Sequence, residues 1–204
     1  MTPPSFGEDG PKAFIEPLKA ALGAGPVACV QLRLKKITDN DLRRTCDTLR
    51  PIVQDHDVAF ILNDRADLAA ETGCDGVHVG QADLTCADAR AIVGDGAIVG
   101  VTCKSSRDLA FKAGEAGADY VAFGAFFASK TKTETKPANI DILASWQQTM
   151  TLPCVAIGGI TIENCETIIK AGADFLAVSG GVWTYPAGPA EAVKAFNKKM
   201  ARGD

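Results

Sequence analysis

The chain has 204 residues, 47% of them hydrophobic and 23% charged, and a net charge of −4. That length fits one domain with a sizeable core, and the mild negative charge excludes the global basic field that attracts nucleic acid. No apolar run reaches the length of a membrane span or a secretory leader, and the seven cysteines are odd in number with no Cys-x-x-Cys pair, so they read as reduced core residues of a cytoplasmic protein rather than a zinc site.

The chain opens loop-like at Met1-Thr2-Pro3-Pro4, and a helical pattern follows at Phe14–Leu22 with Phe14, Ile15, Leu18, Ala21 and Leu22 on one face. Short apolar runs rich in valine, isoleucine and phenylalanine then predict seven strands: Val27–Leu32, Val58–Leu62, Gly76–Gly80, Ile98–Thr102, Tyr120–Ala125, Val155–Gly159 and Phe175–Ser179. Helical spacing returns between them, at Leu42, Cys46, Leu49 and Val53 and again at Ile162, Cys165, Ile168 and Ile169. Thr161 is the expected N-cap of the latter helix and Gly172 its expected C′ residue.

One design recurs three times. Gly73-Cys74-Asp75, Gly117-Ala118-Asp119 and Gly172-Ala173-Asp174 each precede an apolar strand, with the glycine placed to end a helix in the left-handed region. Helices alternating with fully apolar strands indicate a parallel sheet covered on both faces. The natural closure is a (β/α)8 TIM barrel over residues 1–204, a single domain with its active site at the C-terminal ends of the strands. The order is helix-first, so the expected barrel lacks most of its first strand, and an unpaired parallel edge there would be an aggregation liability.

Polar residues collect where these strands end. Gln31, Arg33 and Lys35 stand at every second position after an apolar run, so on a strand they would share one side and suit an anion. The alternative is an edge strand whose charges face water. Asp64 and Asp83 follow two further strands and suit magnesium, bridging to a pyrophosphate held by Arg33, Lys35 and Lys132. Each aspartate also fits as the N-cap of the next helix, and Lys130, Lys132 and Lys136 also fit a solvated charge run. Gly158-Gly159 and Ser179-Gly180-Gly181 offer backbone N–H groups for a second phosphate, or in the first case only a tight turn. His78, between valines in mid-strand, reads as a hydrogen-bonded core histidine.

Taken together, QLRLK at 31–35, ND at 63–64, GVHVGQAD at 76–83, GVT at 100–102, GAFFASKTK at 124–132, IGGIT at 157–161 and AVSGG at 177–181 resemble the thiamine phosphate synthase family. The resemblance implies a transferase of thiamine biosynthesis. It would join 4-amino-5-hydroxymethyl-2-methylpyrimidine pyrophosphate to 4-methyl-5-(2-phosphoethyl)thiazole by a dissociative, magnesium-assisted substitution that releases pyrophosphate. It further implies that Gln31, Arg33, Lys35 and Asn63 hold the pyrimidine pyrophosphate and Asp64 and Asp83 the Mg2+. Thr102, Ser129, Thr131 and Lys132 would contact phosphate oxygens, while Gly159, Ser179 and Gly180 would bind the thiazole phosphate. Partners are then small phosphorylated molecules, with no nucleic acid and no membrane. Two alternatives accompany this reading. One is a thiazole tautomerase-like relative, which would want a histidine near Lys104. The other is a catalytically impaired barrel that only binds phosphorylated ligands. Ala125 and Ala128 stand where the family usually has prolines, and Thr102 where it usually has serine.

Overall fold

The computed structural model describes residues 1–128 and 137–201. Two short helices come first, α1 at Gly10–Ala13 and α2 at Ile15–Leu22. Strands and helices then alternate: β1 Cys29–Leu32, α3 Asp39–Gln54, β2 Ala59–Asn63, α4 Ala66–Glu71, β3 Gly76–Val79, α5 Cys86–Val93, β4 Ile98–Lys104, α6 Arg107–Glu115 and β5 Tyr120–Gly124. Beyond residue 136 follow α7 Asp141–Gln147, β6 Cys154–Ile157, α8 Cys165–Lys170, β7 Phe175–Ala177, α9 Gly180–Trp183 and α10 Pro189–Met200.

All seven strands form one sheet in chain order, and every neighbouring pair is parallel. Parallel neighbours require a crossover, which the intervening helices supply. β3 is buried at all four positions, the mark of a strand covered on both faces. Leu32, Phe60, Val77, Val99, Phe123 and Trp146 are sealed in the core with it.

The three repeated turns have one mechanical purpose. Gly73, Gly117 and Gly172 adopt φ of 70°, 86° and 98°, so each ends its helix in the left-handed region as the sequence predicts. The aspartate two residues on then clamps the strand before it. Asp75 accepts from the N–H of Phe60 at 2.7 Å, Asp119 from that of Val99 at 2.7 Å, and Asp174 from that of Cys154 at 2.8 Å. A carboxylate thus satisfies a backbone donor at the foot of each of these three strands.

Strand number and order match expectation, but several boundaries do not. β1 begins at Cys29 rather than Val27, and β4 runs on to Lys104. β6 and β7 stop at Ile157 and Ala177, ahead of the expected Gly159 and Ser179. Gly158 and Gly159 take φ of 102° and 65°, a conformation no strand continues through. Thr161 is not an N-cap: that position belongs to Asn164, whose side chain instead accepts from the Thr161 N–H at 2.8 Å.

The sheet edges meet across the first two residues. The Met1 ammonium donates to the Val178 carbonyl (3.0 Å) and the Thr2 N–H to the Gln31 carbonyl (2.9 Å). The Arg33 N–H donates to the Thr2 hydroxyl at 3.0 Å, and the Ser179 hydroxyl to the Thr2 carbonyl at 2.9 Å. Trp183 closes the arrangement by donating its indole N–H to the Met1 carbonyl at 2.7 Å. Burial holds the Met1 amine below its ordinary pKa. The expected open edge is therefore bridged at the C-terminal ends of β1 and β7. At the opposite ends of the same two strands, Ala28 is exposed and Phe175 43% exposed. All seven cysteines are free, and no helix among the described residues is long and apolar enough to cross a membrane.

Candidate active site

Because the strands are parallel and in chain order, residues that follow them gather at one end of the sheet. Gln31, on β1, is buried and donates through Nε2 to Asn63 Oδ1 at the end of β2, 3.2 Å away. Arg33 and Lys35 lie past the end of β1, not on it, so the strict two-residue alternation holds only as far as Gln31. The backbone turns away at Lys36, with φ of 56°. Both cations still face the same spot, since their charges act on the Asp64 carboxyl.

Asp64 takes φ of 68°, and its N–H donates to the His78 carbonyl at 2.8 Å, stitching the end of β2 to β3. Asp83 accepts from the Gly80 N–H at 2.8 Å in the turn after β3. Neither aspartate caps a helix. The N-cap residue of α4 is Arg65, and that of α5 is Thr85, whose hydroxyl accepts from the Asp88 N–H. Instead the Asp83 carboxyl acts on that of Asp64. Burial first, and then the neighbouring Asp83, raise the Asp64 pKa to about 6 against the opposing pull of Arg33 and Lys35. Two carboxylates crowded in this way form a hard oxygen donor set that fits a magnesium ion, which uses one or two protein carboxylates and fills its octahedron with water and phosphate oxygens. Among the described residues no larger metal-ligating cluster competes with them.

Thr102, near the end of β4, hydrogen-bonds His78 Nε2 through its hydroxyl at 2.7 Å, while its carbonyl accepts from Gln81 Nε2 at 2.6 Å. His78 is the hydrogen-bonded core histidine expected from the sequence. Burial, with the Arg33 charge adding to it, lowers its pKa to about 4, so the ring is neutral near pH 7. Its other nitrogen meets the Tyr120 hydroxyl at 2.9 Å. The sequence places Gln81 among the polar strand ends but does not show Tyr120 as a partner of His78, for which the one available signal is Gly100, a glycine inside an apolar strand.

The glycines after β6 do more than turn the chain. A Cβ on Gly159 would lie 2.6 Å from the Ala128 carbonyl oxygen and 2.7 Å from that of Phe127. Glycine thus lets the segment after β5 lie against the end of β6, where the Phe127 N–H reaches the Gly158 carbonyl at 3.1 Å. Ser179 spends its hydroxyl proton on Thr2, leaving backbone groups to meet any ligand there. Gly180 is exposed at the start of α9, with open space where a side chain would stand. Ser129, Lys130, Thr131, Lys132 and Lys136 lie outside the described residues. A cleft of about 740 Å³ opens at the opposite ends of the strands, but Gln54, Asp57, Cys74, Asp75 and the rest of its lining include no lysine or arginine, so it offers an anion nothing.

A family model described as thiamine monophosphate synthase matches residues 5–182. The chain belongs to the thiamine monophosphate synthase family. The thiamine-phosphate synthase of Rhodospirillum centenum is 60% identical over 200 residues, covering 98% of this chain and 95% of that protein. That of Hyphomonas neptunium is 48% identical over 201 residues, covering 97% of this chain and 90% of its own. Among solved structures, thiamine phosphate pyrophosphorylase from Pyrococcus furiosus superposes with a TM-score of 0.81 at 27% identity, covering 93% of this chain and 90% of that one. Within the thiamine monophosphate synthase family, Lys104 is an exposed side chain at the end of β4, where the tautomerase-like alternative wanted a histidine.

Proposed function

We propose that the chain is a thiamine phosphate synthase acting at the C-terminal ends of its strands on two small phosphorylated substrates, the pyrimidine pyrophosphate and the thiazole phosphate. The observation that carries this is the convergence of Arg33 and Lys35 on the paired carboxyls of Asp64 and Asp83. Opposite charges at one strand-end spot, with the carboxylates crowded against each other, form half of a site whose other half is a divalent ion and an anionic leaving group. Arg33 and Lys35 face the departing pyrophosphate, Gln31 and Asn63 orient the pyrimidine, and the family resemblance assigns Lys132 to the same anion. Asp64 and Asp83 hold Mg2+, which when bound neutralises charge on the pyrophosphate oxygens.

The reaction that the family resemblance implies is dissociative, and this arrangement suits it. The bond from the pyrimidine methylene carbon to pyrophosphate breaks with its electron pair going to oxygen, and the thiazole nitrogen then captures the resulting cation. No protein nucleophile is needed. Thr102 lies at β4 within reach of the same anion, with Ser129 and Thr131 as further hydroxyl partners, and Gly159, Ser179 and Gly180 meet the thiazole phosphate through backbone N–H groups. We read the fold as a (β/α)8 barrel in which Met1 and Thr2 lie between the ends of β1 and β7 at the active-site end. Seven free cysteines favour a reducing, cytoplasmic setting.

The test is turnover of the purified chain with magnesium and both substrates, paired with calorimetry of the thiazole phosphate. Release of pyrophosphate together with thiamine phosphate supports the proposal. Ligand binding without product would favour the impaired barrel instead.

A further inference from the structure

Three strands contribute to one hydrogen-bonded row beneath the site. His78 on β3, Gly100 on β4 and Tyr120 on β5 lie in register, side by side across the sheet. Gly100 has no side chain, so the Tyr120 ring crosses over it to reach His78, and a Cβ at Gly100 would overlap that ring. Tyr120 meets His78 Nδ1 at 2.9 Å, and His78 Nε2 meets the Thr102 hydroxyl at 2.7 Å. The two rings stack, with centroids 5.5 Å apart.

Hydrogen-bond accounting fixes the direction of this row. Among the described residues the Tyr120 hydroxyl has no partner other than His78 Nδ1. Tyr120 is half-buried, but its hydroxyl is wedged over Gly100 against the buried His78 ring, where a proton that is not donated to Nδ1 has no other acceptor among those residues, so the O–H donates and Nδ1 accepts. A neutral imidazole carries one proton, which then resides on Nε2 and is donated to the Thr102 oxygen. Thr102 therefore accepts from below, and its own O–H proton is left to point into the site. Reversing the row would make Thr102 donate to the histidine and present only lone pairs to the site, which repel an anion.

We propose that Tyr120 and His78 are positioning residues that hold Thr102 as an obligate hydrogen-bond donor toward the departing pyrophosphate. This rests on the synthase reading above, because it needs an anion at Thr102. Donation to an oxygen gaining charge strengthens as the bond breaks, so the effect falls on kcat more than on KM.

The chain has only two histidines, so a ¹⁵N spectrum of the histidine side chains resolves His78 from His56. In ligand-free protein His78 should be the Nε2–H tautomer, and Tyr120→Phe should abolish that preference. Thr102→Val should lower kcat by about 10- to 100-fold, the loss expected for one donor to a charged group. Tyr120→Phe should lower kcat by about tenfold in the wild-type background and by nothing further when combined with Thr102→Val, whereas a merely structural role would give additive losses. An active enzyme whose His78 is the Nδ1–H tautomer, or whose two losses multiply, would overturn the positioning role and leave the synthase reading intact. A wild type that forms no thiamine phosphate would sink the synthase reading, and with it the assignment of pyrophosphate as the group Thr102 serves.

Discussion

Replacing Asp83 by asparagine should stabilise the metal-free protein while destroying its response to magnesium. The Asp64 pKa rises from 3.8 to about 6, so the folded state holds a proton more tightly than the unfolded chain does. Stability from this carboxyl is therefore fullest below 3.8, is lost as pH climbs to about 6, and is absent above it. A sealed carboxyl would lose about 1.36 kcal/mol for each pH unit of that rise, and exposed Asp64 loses well under that near pH 7.5. Burial supplies the largest share, and Asp64 is open enough to solvent for screening to reduce the rest. Removing the Asp83 charge should then return about 1 kcal/mol. The asparagine carbonyl can still accept from the Gly80 N–H, so the turn after β3 keeps its bond. Urea denaturation in chelator at pH 7.5 should show the variant more stable than wild type, with the gain shrinking through about pH 6 and nearly gone at about pH 5, where the folded-state carboxyl is already mostly protonated. Millimolar magnesium should stabilise wild type and leave the variant unmoved. A variant that is less stable without metal, or that responds to magnesium as wild type does, would refute the paired-carboxylate account.

Arg33→Ala should cut kcat/KM for the pyrimidine pyrophosphate by about a hundredfold while leaving the thiazole-phosphate affinity close to wild type by calorimetry, and equal losses for both would point to folding damage. Asp174→Ala strips the acceptor from the buried N–H of Cys154, and should cost about 1–3 kcal/mol in denaturant unfolding with no direct effect on substrate affinity. Gly100→Ala forces a methyl group into the Tyr120 ring; about 1–3 kcal/mol of stability should go with it, and a fully stable variant would mean the ring has another place to lie.

Apolar runs made the strands legible, because a strand covered on both faces has to be apolar along its length, and the Gly-x-Asp turns marked where three of them begin. The clamp each aspartate forms was not legible: an acceptor for the preceding strand is a contact between elements, visible only once Asp119 and Val99 are adjacent. At the site, Gln31, Asn63, Asp64 and Asp83 could be placed from the sequence because they lie at or just past the ends of strands that topology aligns. Arg33 and Lys35 were assigned to the right place for a partly wrong reason, since they reach it from a turn beyond β1 rather than from the strand. Thr2 could not be anticipated at all. A threonine behind Met1 in a proline-rich opening looks like a tail, and only the meeting of β1 and β7 turns its hydroxyl and carbonyl into a brace for Arg33 and Ser179.

The most direct test of the whole account is parallel turnover of wild type, Arg33→Ala and Asp64→Asn with magnesium and both substrates, following pyrophosphate and thiamine phosphate together. Wild type should release the two products in equal amounts, and both variants should fall by at least about a hundredfold while keeping the wild-type folded content by circular dichroism. Wild-type rates in either variant would contradict it, because the chemistry would then have to occur away from the strand ends where these charges meet.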